Sequence, residues 1–487
     1  MAALPRFATA SLAATLLLLF ATTPSLVRAE ESAAAVPAAG AADTVEALLA
    51  RWEAKPDSIG RGIRLQDAYV RTGKKQAALA LFREKRKASP DDQVLTFLYG
   101  RIKGDRAGIK MMRSALAANL GRAEGDTAGL VRAWTALAVA EVSAGNGAEA
   151  EQAALRLSAM RGLAEDWTYL GWIQESLQRA PDRAKASYAR AIRIKPEHLR
   201  ARTALAMIHA DAGELEEALG IVQGSAEKHP DSADAQLHYG LILAMAGKQA
   251  DASKAYGKAL ACAGEDADAL ASIASAYLDI EEQDLAIEAV QKALAIDPDH
   301  ADALSNAGLL AMERGDANAA AKHLKRAAKL QPKHAHTHYL QGVCAQRLKK
   351  YSAAINHLRK AMSLAPDSVE YVTALALAQS ESGAYSAAIA MFKRAIKMAP
   401  KDADLQRQLG MAYLKHNKYK LAAKAFDEAV ELAPADPRPR YYQAIVYGDK
   451  LGKAKEALAA LRAYKALGGK EPSALAWLEE LQEELGQ

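Results

Sequence analysis

Three histidines at alternate positions are the residues of this chain whose type and spacing first suggest chemistry. His334, His336 and His338 lie in the stretch QPKHAHTHYLQG, residues 331–342, and imidazole nitrogens bind zinc and copper. If a helix begins after the proline, residues two apart point about 200° apart, so only His334 and His338 share a face. Residues 317–366 contain no carboxylate to complete a site. The spacing therefore argues against a metal, and we expect neither a metal nor another cofactor.

Prolines and small residues recur at a fixed interval along most of the chain. Prolines occupy positions 196, 230, 298, 332, 366, 400 and 434 in steps of 34, and Gly264 fills the skipped place. Alanines occupy positions 218, 252, 286, 320, 354, 388 and 422. A period of this length predicts a stack of repeated helical units. The three histidines then lie at a boundary between two units.

The repeated unit resembles the tetratricopeptide repeat. In QRQLGMAYLKHNKYKLAAKAFDEAVELAP the positions that match that family's pattern are Leu409, Gly410, Tyr413, Ala422, Phe426, Ala429 and Pro434. Trp134 and Trp167 match its early tryptophan. The resemblance implies an all-α helical-repeat solenoid, a superhelix of antiparallel helix pairs with a concave groove that binds protein segments.

The same spacing has a physical reading that does not depend on the family. Gly308 and Gly342 fall where the first helix of a unit meets the second, and a side chain there would hold the two backbones apart. Pro332 and Pro366 end the second helix, because the residue before a proline avoids helical angles. One helix pair cannot bury its apolar face alone, so stacking on neighbouring pairs supplies the core.

The period predicts the organisation of the chain. We expect about twelve repeats over residues 59–471, of which the unit at 93–130 departs from the pattern. Residues 30–58 are predicted to form a linker followed by an N-terminal capping helix, and residues 472–487 a C-terminal capping helix. No segment of domain size is left over, so a separate catalytic domain is not expected.

The segment at positions 1–29 differs in character from the rest of the sequence. Arg6 precedes an apolar run, and Val27 and Ala29 are small residues before an acidic stretch. This pattern is typical of a secretory signal peptide cleaved after Ala29, and it predicts an exported, periplasmic protein. The alternative is an uncleaved segment that anchors the chain in the inner membrane, and membrane contact is expected only in that case.

Charge is unevenly distributed, although the net charge is only +5 and implies no nucleic-acid partner. Residues 265–302 carry eleven acids and one base, whereas residues 317–366 carry ten bases and no acid. The candidate basic patch consists of Lys322, Lys325, Arg326, Lys329, Lys333, Arg347, Lys349 and Lys350. The three histidines lie within it and are predicted to supply charge adjustable near neutral pH. Either the two blocks attract each other as solvated faces, or the basic block forms a docking patch for an anionic polymer.

Aliphatic residues occupy a position that the family commonly fills with a polar one. The resemblance implies that this ninth place of each first helix faces the groove. The candidate partner-binding residues are Met207, Leu241, Leu309, Val343, Leu377, Met411 and Ile445, with Tyr339 and Tyr441 beside them. Either they contact a helical or extended partner segment, or they pack on adjacent repeats. Exposed apolar stripes are uncommon unless they are used.

These observations predict a non-enzymatic scaffold. Motifs of serine hydrolases, P-loop enzymes and zinc proteases are missing from the sequence, so no catalytic residue is assigned. We expect an adaptor that serves envelope complex assembly or secretion in a Gram-negative bacterium. Two alternatives remain: a binder of an anionic polymer through residues 317–366, and a regulatory subunit of an envelope enzyme.

Overall fold

The computed structural model describes residues 44–118 and 126–486, and every regular element in them is a helix. The prediction of an all-α helical-repeat fold is therefore confirmed. The described residues divide into two compact units, residues 44–263 and residues 264–486. None of their helices is both long and apolar enough to span a membrane. The predicted signal peptide and most of the linker lie outside the described residues.

The N-terminal unit is a stack of helix pairs preceded by a single helix. Its helices in the described part are α1 (Val45–Glu53), α2 (Ile59–Arg71), α3 (Lys75–Ala88), α4 (Gln93–Lys103), α5 (Arg106–Ala117), α6 (Thr127–Ser143), α7 (Gly147–Arg161), α8 (Ala164–Ser176), α9 (Pro181–Ile194), α10 (Leu199–Asp211), α11 (Leu215–Lys228), α12 (Ala233–Met245) and α13 (Gln249–Cys262). From α2 onward they pack two by two, a first helix against the second helix of the same pair.

The C-terminal unit has the same arrangement and ends with a single helix. Its helices in the described part are α14 (Ala267–Asp279), α15 (Gln283–Ile296), α16 (Ala301–Glu313), α17 (Ala317–Leu330), α18 (Ala335–Arg347), α19 (Tyr351–Leu364), α20 (Val369–Glu381), α21 (Tyr385–Met398), α22 (Ala403–Lys415), α23 (Tyr419–Leu432), α24 (Pro437–Ile445), α25 (Ala454–Ala466) and α26 (Pro472–Glu484). Within this unit the even-numbered helices up to α24 are first helices and the odd-numbered ones are second helices.

Local chemistry sets where each helix begins and turns. Most first helices start after a capping side chain; Ser232 Oγ, for example, accepts from Ala235 N–H at 3.2 Å, which satisfies a backbone donor that the first turn leaves free. From the pair α8–α9 to the pair α22–α23, the turn between the two helices contains a left-handed residue at the same place of the repeat. These residues are Arg179, Gly213, Gly247, Glu281, Gly315, Lys349, Gly383 and Asn417. Glycine adopts this conformation without steric cost.

The glycines of the first helices sit in close contact with the second helix. A Cβ added at Gly308 would lie 2.6 Å from Leu324 Cγ, and one at Gly342 would lie 2.4 Å from Leu358 Cγ. The predicted crowding is present, but the atoms that would clash first belong to a leucine side chain rather than to the facing backbone. The core of each of these pairs is therefore closed by a leucine against a glycine.

The third pair reaches back to the first. The carboxylate of Asp126, which caps α6, accepts hydrogen bonds from Ser58 Oγ at 2.9 Å and from Gly60 N–H at 3.2 Å. Gly60 and Gly129 lie so close that a Cβ on Gly60 would be 3.0 Å from Gly129 Cα. As a result α2 packs directly against α6, although the pair α4–α5 lies between them in sequence.

The last pair is one residue longer than the pair before it. Its second helix α25 begins at Ala454, one position later than the 34-residue period counted from Tyr419, the start of α23, would place it. The extra residue is taken up by a π-helical turn over Val446–Lys450 at the end of α24. A Cβ on Gly448 would lie 2.5 Å from the ring of Trp477 on α26, so Gly448 packs on the closing helix.

Candidate functional site

The three histidines lie at the start of α18 and are engaged within the protein. His334 caps the helix, and its Nδ1 is hydrogen-bonded to Thr337 Oγ1 at 2.7 Å. His338 Nε2 donates to the carbonyl of Pro332 at 3.0 Å, while the ring of His336 stacks on Tyr339 with centroids 5.7 Å apart. Among the described residues no cluster of three His, Cys, Asp or Glu side chains could hold a metal ion.

The prediction that these histidines supply adjustable charge near neutral pH is wrong for His336. Burial lowers the pKa of His336 to about 4 and also lowers the pKa of His334. Desolvation disfavours the protonated imidazole, so the ring of His336 is neutral at pH 7. The sequence places both rings inside a basic block, but the fold half-buries them.

The structure divides the candidate basic patch. Four of its members share one face of α17 because they follow helical spacing: Lys322, Lys325, Arg326 and Lys329. Lys333 lies in the turn before α18, whereas Lys349 and Lys350 lie in the turn after it, about 20 Å away along a 13-residue helix. Arg347 donates to the carbonyl of Met312. Only the α17 group is a single basic surface.

One ion pair links the acidic and basic blocks within the described residues of this unit. Arg326 contacts Asp299 at 2.8 Å. Lys322, Lys325 and Lys329 are exposed and have neither an ion pair nor a side-chain hydrogen bond in the described part of the chain. Attraction between the acidic and basic blocks therefore neutralises few of the basic side chains on α17.

The aliphatic positions of the first helices fall into two groups. In the N-terminal unit Met207 and Leu241 are buried, with 8% and 1% of their surface exposed, so they belong to the core there. In the C-terminal unit five are half-buried and still reach solvent: Leu309, Val343, Leu377, Met411 and Ile445. We call these five the aliphatic strip. Four of them also pack on the core clusters beneath them.

The two candidate tyrosines differ. Tyr339 is 2% exposed and stacks on Tyr371 of α20 at 5.1 Å, so its ring supports the strip from below. Its hydroxyl donates to the carboxylate of Glu370. Tyr441 is half-buried and contacts the rings of Tyr442 and Tyr464 at 5.4 and 5.7 Å. Tyr441 therefore remains available at the surface, whereas Tyr339 does not.

Carboxylates lie on the same helix faces as the strip, and the sequence analysis did not single them out. On α16, Asp302 precedes Leu309 by seven residues and Glu313 follows it by four; on α20 the corresponding carboxylates are Glu370 and Glu381. Residues spaced by seven and by four share one face of a helix. The 34-residue period contained this signal, since Asp268, Asp302, Glu370 and Asp404 stand at the same place of their repeats.

Two of these carboxylates are partly desolvated. Burial raises the pKa of Glu370, and the hydrogen bond from Tyr339 opposes that rise. The pKa of Glu313 is also raised, chiefly by desolvation, although its side chain reaches solvent and Arg347 acts in the opposite direction. A desolvated carboxylate gains more from a cation than one surrounded by water does.

A perturbed acid in the N-terminal unit has a structural role. Asp166 on α8 is fully buried beside Arg161 at 3.0 Å, and burial raises its pKa to about 6 despite that arginine. The pair joins α7 to α8 below the surface, where no substrate or partner could reach it. It therefore contributes to packing between repeats and not to a site.

Comparison with known families finds matches in three segments. Residues 177–242 and residues 373–437 each match a family model described as tetratricopeptide repeat. Residues 279–361 match one described as anaphase-promoting complex, cyclosome, subunit 3. A search of curated protein sequences finds no significant match.

Similar arrangements occur among solved structures. One is a chain in the crystal structure of the APC/C hetero-tetramer Cut9–Hcn1, at 15% identity over 97% of this chain and 99% of that one, with a TM-score of 0.47. Another is Pseudomonas aeruginosa pilF, at 19% identity over 45% and 99%, with a TM-score of 0.39. A third is YrrB, described as a TPR protein with an unusual peptide-binding site, at 21% identity over 37% and 92%, with a TM-score of 0.32.

Proposed function

The chain belongs to the tetratricopeptide-repeat family, and from that premise we propose that it is a non-enzymatic scaffold that binds a segment of a protein partner on the first-helix face of its C-terminal unit. The observation that carries the proposal is the aliphatic strip, whose five residues recur every 34 positions and remain half-buried. Apolar side chains that reach solvent at the same place of successive repeats are what a bound segment can cover.

The proposal includes export. Its support is the N-terminal sequence, in which a positive residue, an apolar run and a small-residue cleavage site follow one another. In the periplasm of a Gram-negative bacterium, such a scaffold would assist assembly of envelope complexes or secretion. If the signal is not cleaved, the same scaffold is held at the inner membrane.

Binding of an anionic polymer is the second candidate function. The observation that favours it is the unpaired α17 group of lysines, because unneutralised charge on one helix face attracts polyanions. Such binding would weaken steeply as salt rises, since it depends on release of counterions. A segment seated on the aliphatic strip would lose less affinity with salt.

The double variant Leu309→Asp with Val343→Asp tests the main proposal. Each carboxylate would remove apolar contact worth roughly 1.5–3 kcal/mol, so capture of a partner from envelope extracts should fall by about a hundredfold or more. The matched control is Leu421→Asp with Leu432→Asp, which changes two exposed leucines of the second helix α23. That control should capture the partner normally.

Thermal unfolding followed by circular dichroism decides whether the strip is surface or core. An exposed position tolerates a carboxylate, whereas burying an unpaired charge is very costly. Lost capture with an unchanged melt supports the binding surface. A collapsed melt would mean that the strip is packing, and the proposal would fail.

A further inference from the structure

In the three pairs from α16 to α21, charge is sorted by helix layer. The first helices α16 and α20 each carry two carboxylates and no Lys or Arg, and α18 carries only Arg347. The second helices α17, α19 and α21 carry four, two and three Lys or Arg residues and no carboxylate. A molecule that approaches the first-helix face of these pairs therefore meets the opposite potential from one that approaches the second helices.

The carboxylates flank the aliphatic strip on both sides. Along α16 the order on one face is Asp302, Leu309, Glu313, and along α20 it is Glu370, Leu377, Glu381. At about 1.5 Å per residue, the outer members of each trio are about 16 Å apart with the aliphatic residue between them. Each trio thus offers an apolar contact bordered by two negative charges.

The groups between these trios add one positive charge against four carboxylates. His336 on α18 stands at the place of Asp302 and Glu370 and is neutral at pH 7, because burial holds its pKa at about 4. Arg347 stands at the place of Glu313 and Glu381 and keeps its charge, which acts on Glu313, while its guanidinium donates to the carbonyl of Met312. Gln346 donates to Glu381 at 2.8 Å, so that carboxylate is held in place without being neutralised.

We infer that the segment bound on the aliphatic strip is cationic and amphipathic, with apolar side chains on Leu309, Val343 and Leu377 and Lys or Arg side chains on the flanking carboxylates. This inference rests on the proposed function and names the chemistry of its partner. An acidic segment would meet four carboxylates across α16 and α20 and is disfavoured by like-charge repulsion. An uncharged apolar segment would leave desolvated carboxylates without counter-charges.

Two fluorescein-labelled peptides of equal length test the inference with the purified full chain. One repeats the Leu-Lys pair seven times, and the other repeats the Leu-Glu pair the same number of times. We expect the lysine peptide to bind in fluorescence anisotropy, and the glutamate peptide to bind at least tenfold more weakly. Addition of sodium chloride should weaken the lysine peptide only moderately, because part of its contact is apolar.

Amide substitutions of the flanking carboxylates test whether these charges bind the lysine peptide. Asp302→Asn with Glu370→Gln, and separately Glu313→Gln with Glu381→Gln, should each weaken the lysine peptide by about three- to tenfold. The matched control, Glu428→Gln with Glu431→Gln on the second helix α23, removes the same net charge elsewhere and should change nothing. Equal binding of both peptides, no binding of either, or an equal loss in the control would overturn the inference.

A failed inference and a failed function give different results. If an envelope partner is lost with Leu309→Asp and Val343→Asp but is unaffected by all four amide substitutions, the scaffold function stands and the cationic preference is refuted. If the aspartate variants leave capture unchanged, the binding surface itself has been assigned wrongly.

Discussion

The hydroxyl of Tyr339 on α18 donates a hydrogen bond to the carboxylate of Glu370 on α20. Two first helices of adjacent pairs are joined by this bond, and it lies beside the aliphatic strip. The ring of Tyr339 is simultaneously stacked on Tyr371, with centroids 5.1 Å apart. A buried aromatic ring thus fixes the position of a carboxylate that borders the proposed binding surface.

Replacing Tyr339 with phenylalanine should shift the pH dependence of peptide binding. The hydrogen bond holds down the pKa of Glu370, which burial raises, so its loss lets that pKa rise further. On acidification from pH 7 the variant should therefore release the lysine peptide at a higher pH than the wild type does. Anisotropy titrations between pH 7 and 4.5 measure the midpoint.

Tyr371→Phe is the control for that experiment, because Tyr371 is not among the groups that shift the pKa of Glu370. Its midpoint should coincide with that of the wild type. Identical midpoints in all three proteins would show that Glu370 does not contribute to cation binding.

His336 should make the C-terminal unit less stable in acid. Its folded pKa of about 4 lies below the ordinary value of 6.5, so between these values the unfolded chain binds the proton and the folded chain does not. Stability contributed by the neutral ring is complete above pH 6.5 and is lost as pH falls toward 4. Hydrogen-exchange protection of α18 should drop by about tenfold between pH 7 and 5.

His336→Gln removes that titration and should flatten the pH dependence in α18. Protection of α23 serves as an internal reference and should respond to pH equally in both proteins. A drop in α18 that persists unchanged in the glutamine variant would assign the acid sensitivity to another group.

Gly308→Val or Gly342→Val should loosen the array locally. The added side chain meets Leu324 or Leu358 well inside van der Waals contact, and overpacking of this kind costs about 1–3 kcal/mol. Hydrogen exchange should show reduced protection in the substituted pair and its neighbours, with α24 and α25 unchanged. Gly220→Val is the control, because a Cβ at Gly220 on α11 meets nothing within 4 Å.

If the chain is exported, its mature form should have a defined N-terminus. If residues 1–29 are a cleaved signal, mass spectrometry of the periplasmic fraction should find a chain that begins at Glu30. Full-length protein recovered from the inner membrane would instead establish the anchor.

The helix boundaries follow from residues that can be read in the sequence. The 34-residue spacing of prolines places the ends of second helices, as at Leu330 before Pro332, and the packing glycines place the contact between helices of a pair. These features are local or strictly periodic, so they can be recognised in a single sequence. The extra residue in the last pair is not predicted by the sequence, because the periodic prolines end at Pro434 and the periodic alanines at Ala422. The π-helical turn at Val446–Lys450 takes up this residue.

Site features that depend on burial were harder to predict. The sequence places His336 among lysines, but only the packed structure shows that its ring is desolvated against Tyr339. It also groups eight basic residues by sequence distance, whereas α18 separates Lys333 from Lys349 by its own length. The flanking carboxylates stand at the second and thirteenth places of their first helices, so they are periodic in the sequence, but the apolar residues at the ninth place give no sign of them.

The carboxylate of Asp126 has a consequence for how the N-terminal end of the array unravels. An array with contacts only between adjacent repeats frays one repeat at a time, as a one-dimensional chain of couplings. Asp126 adds a coupling between pairs that are not adjacent in sequence. Its carboxylate accepts hydrogen bonds from Ser58 and Gly60 at the start of the first pair and from Gly129 of the helix that it caps. The first pair cannot detach without breaking the cap of the third, so α2 through α7 should open in a single cooperative event.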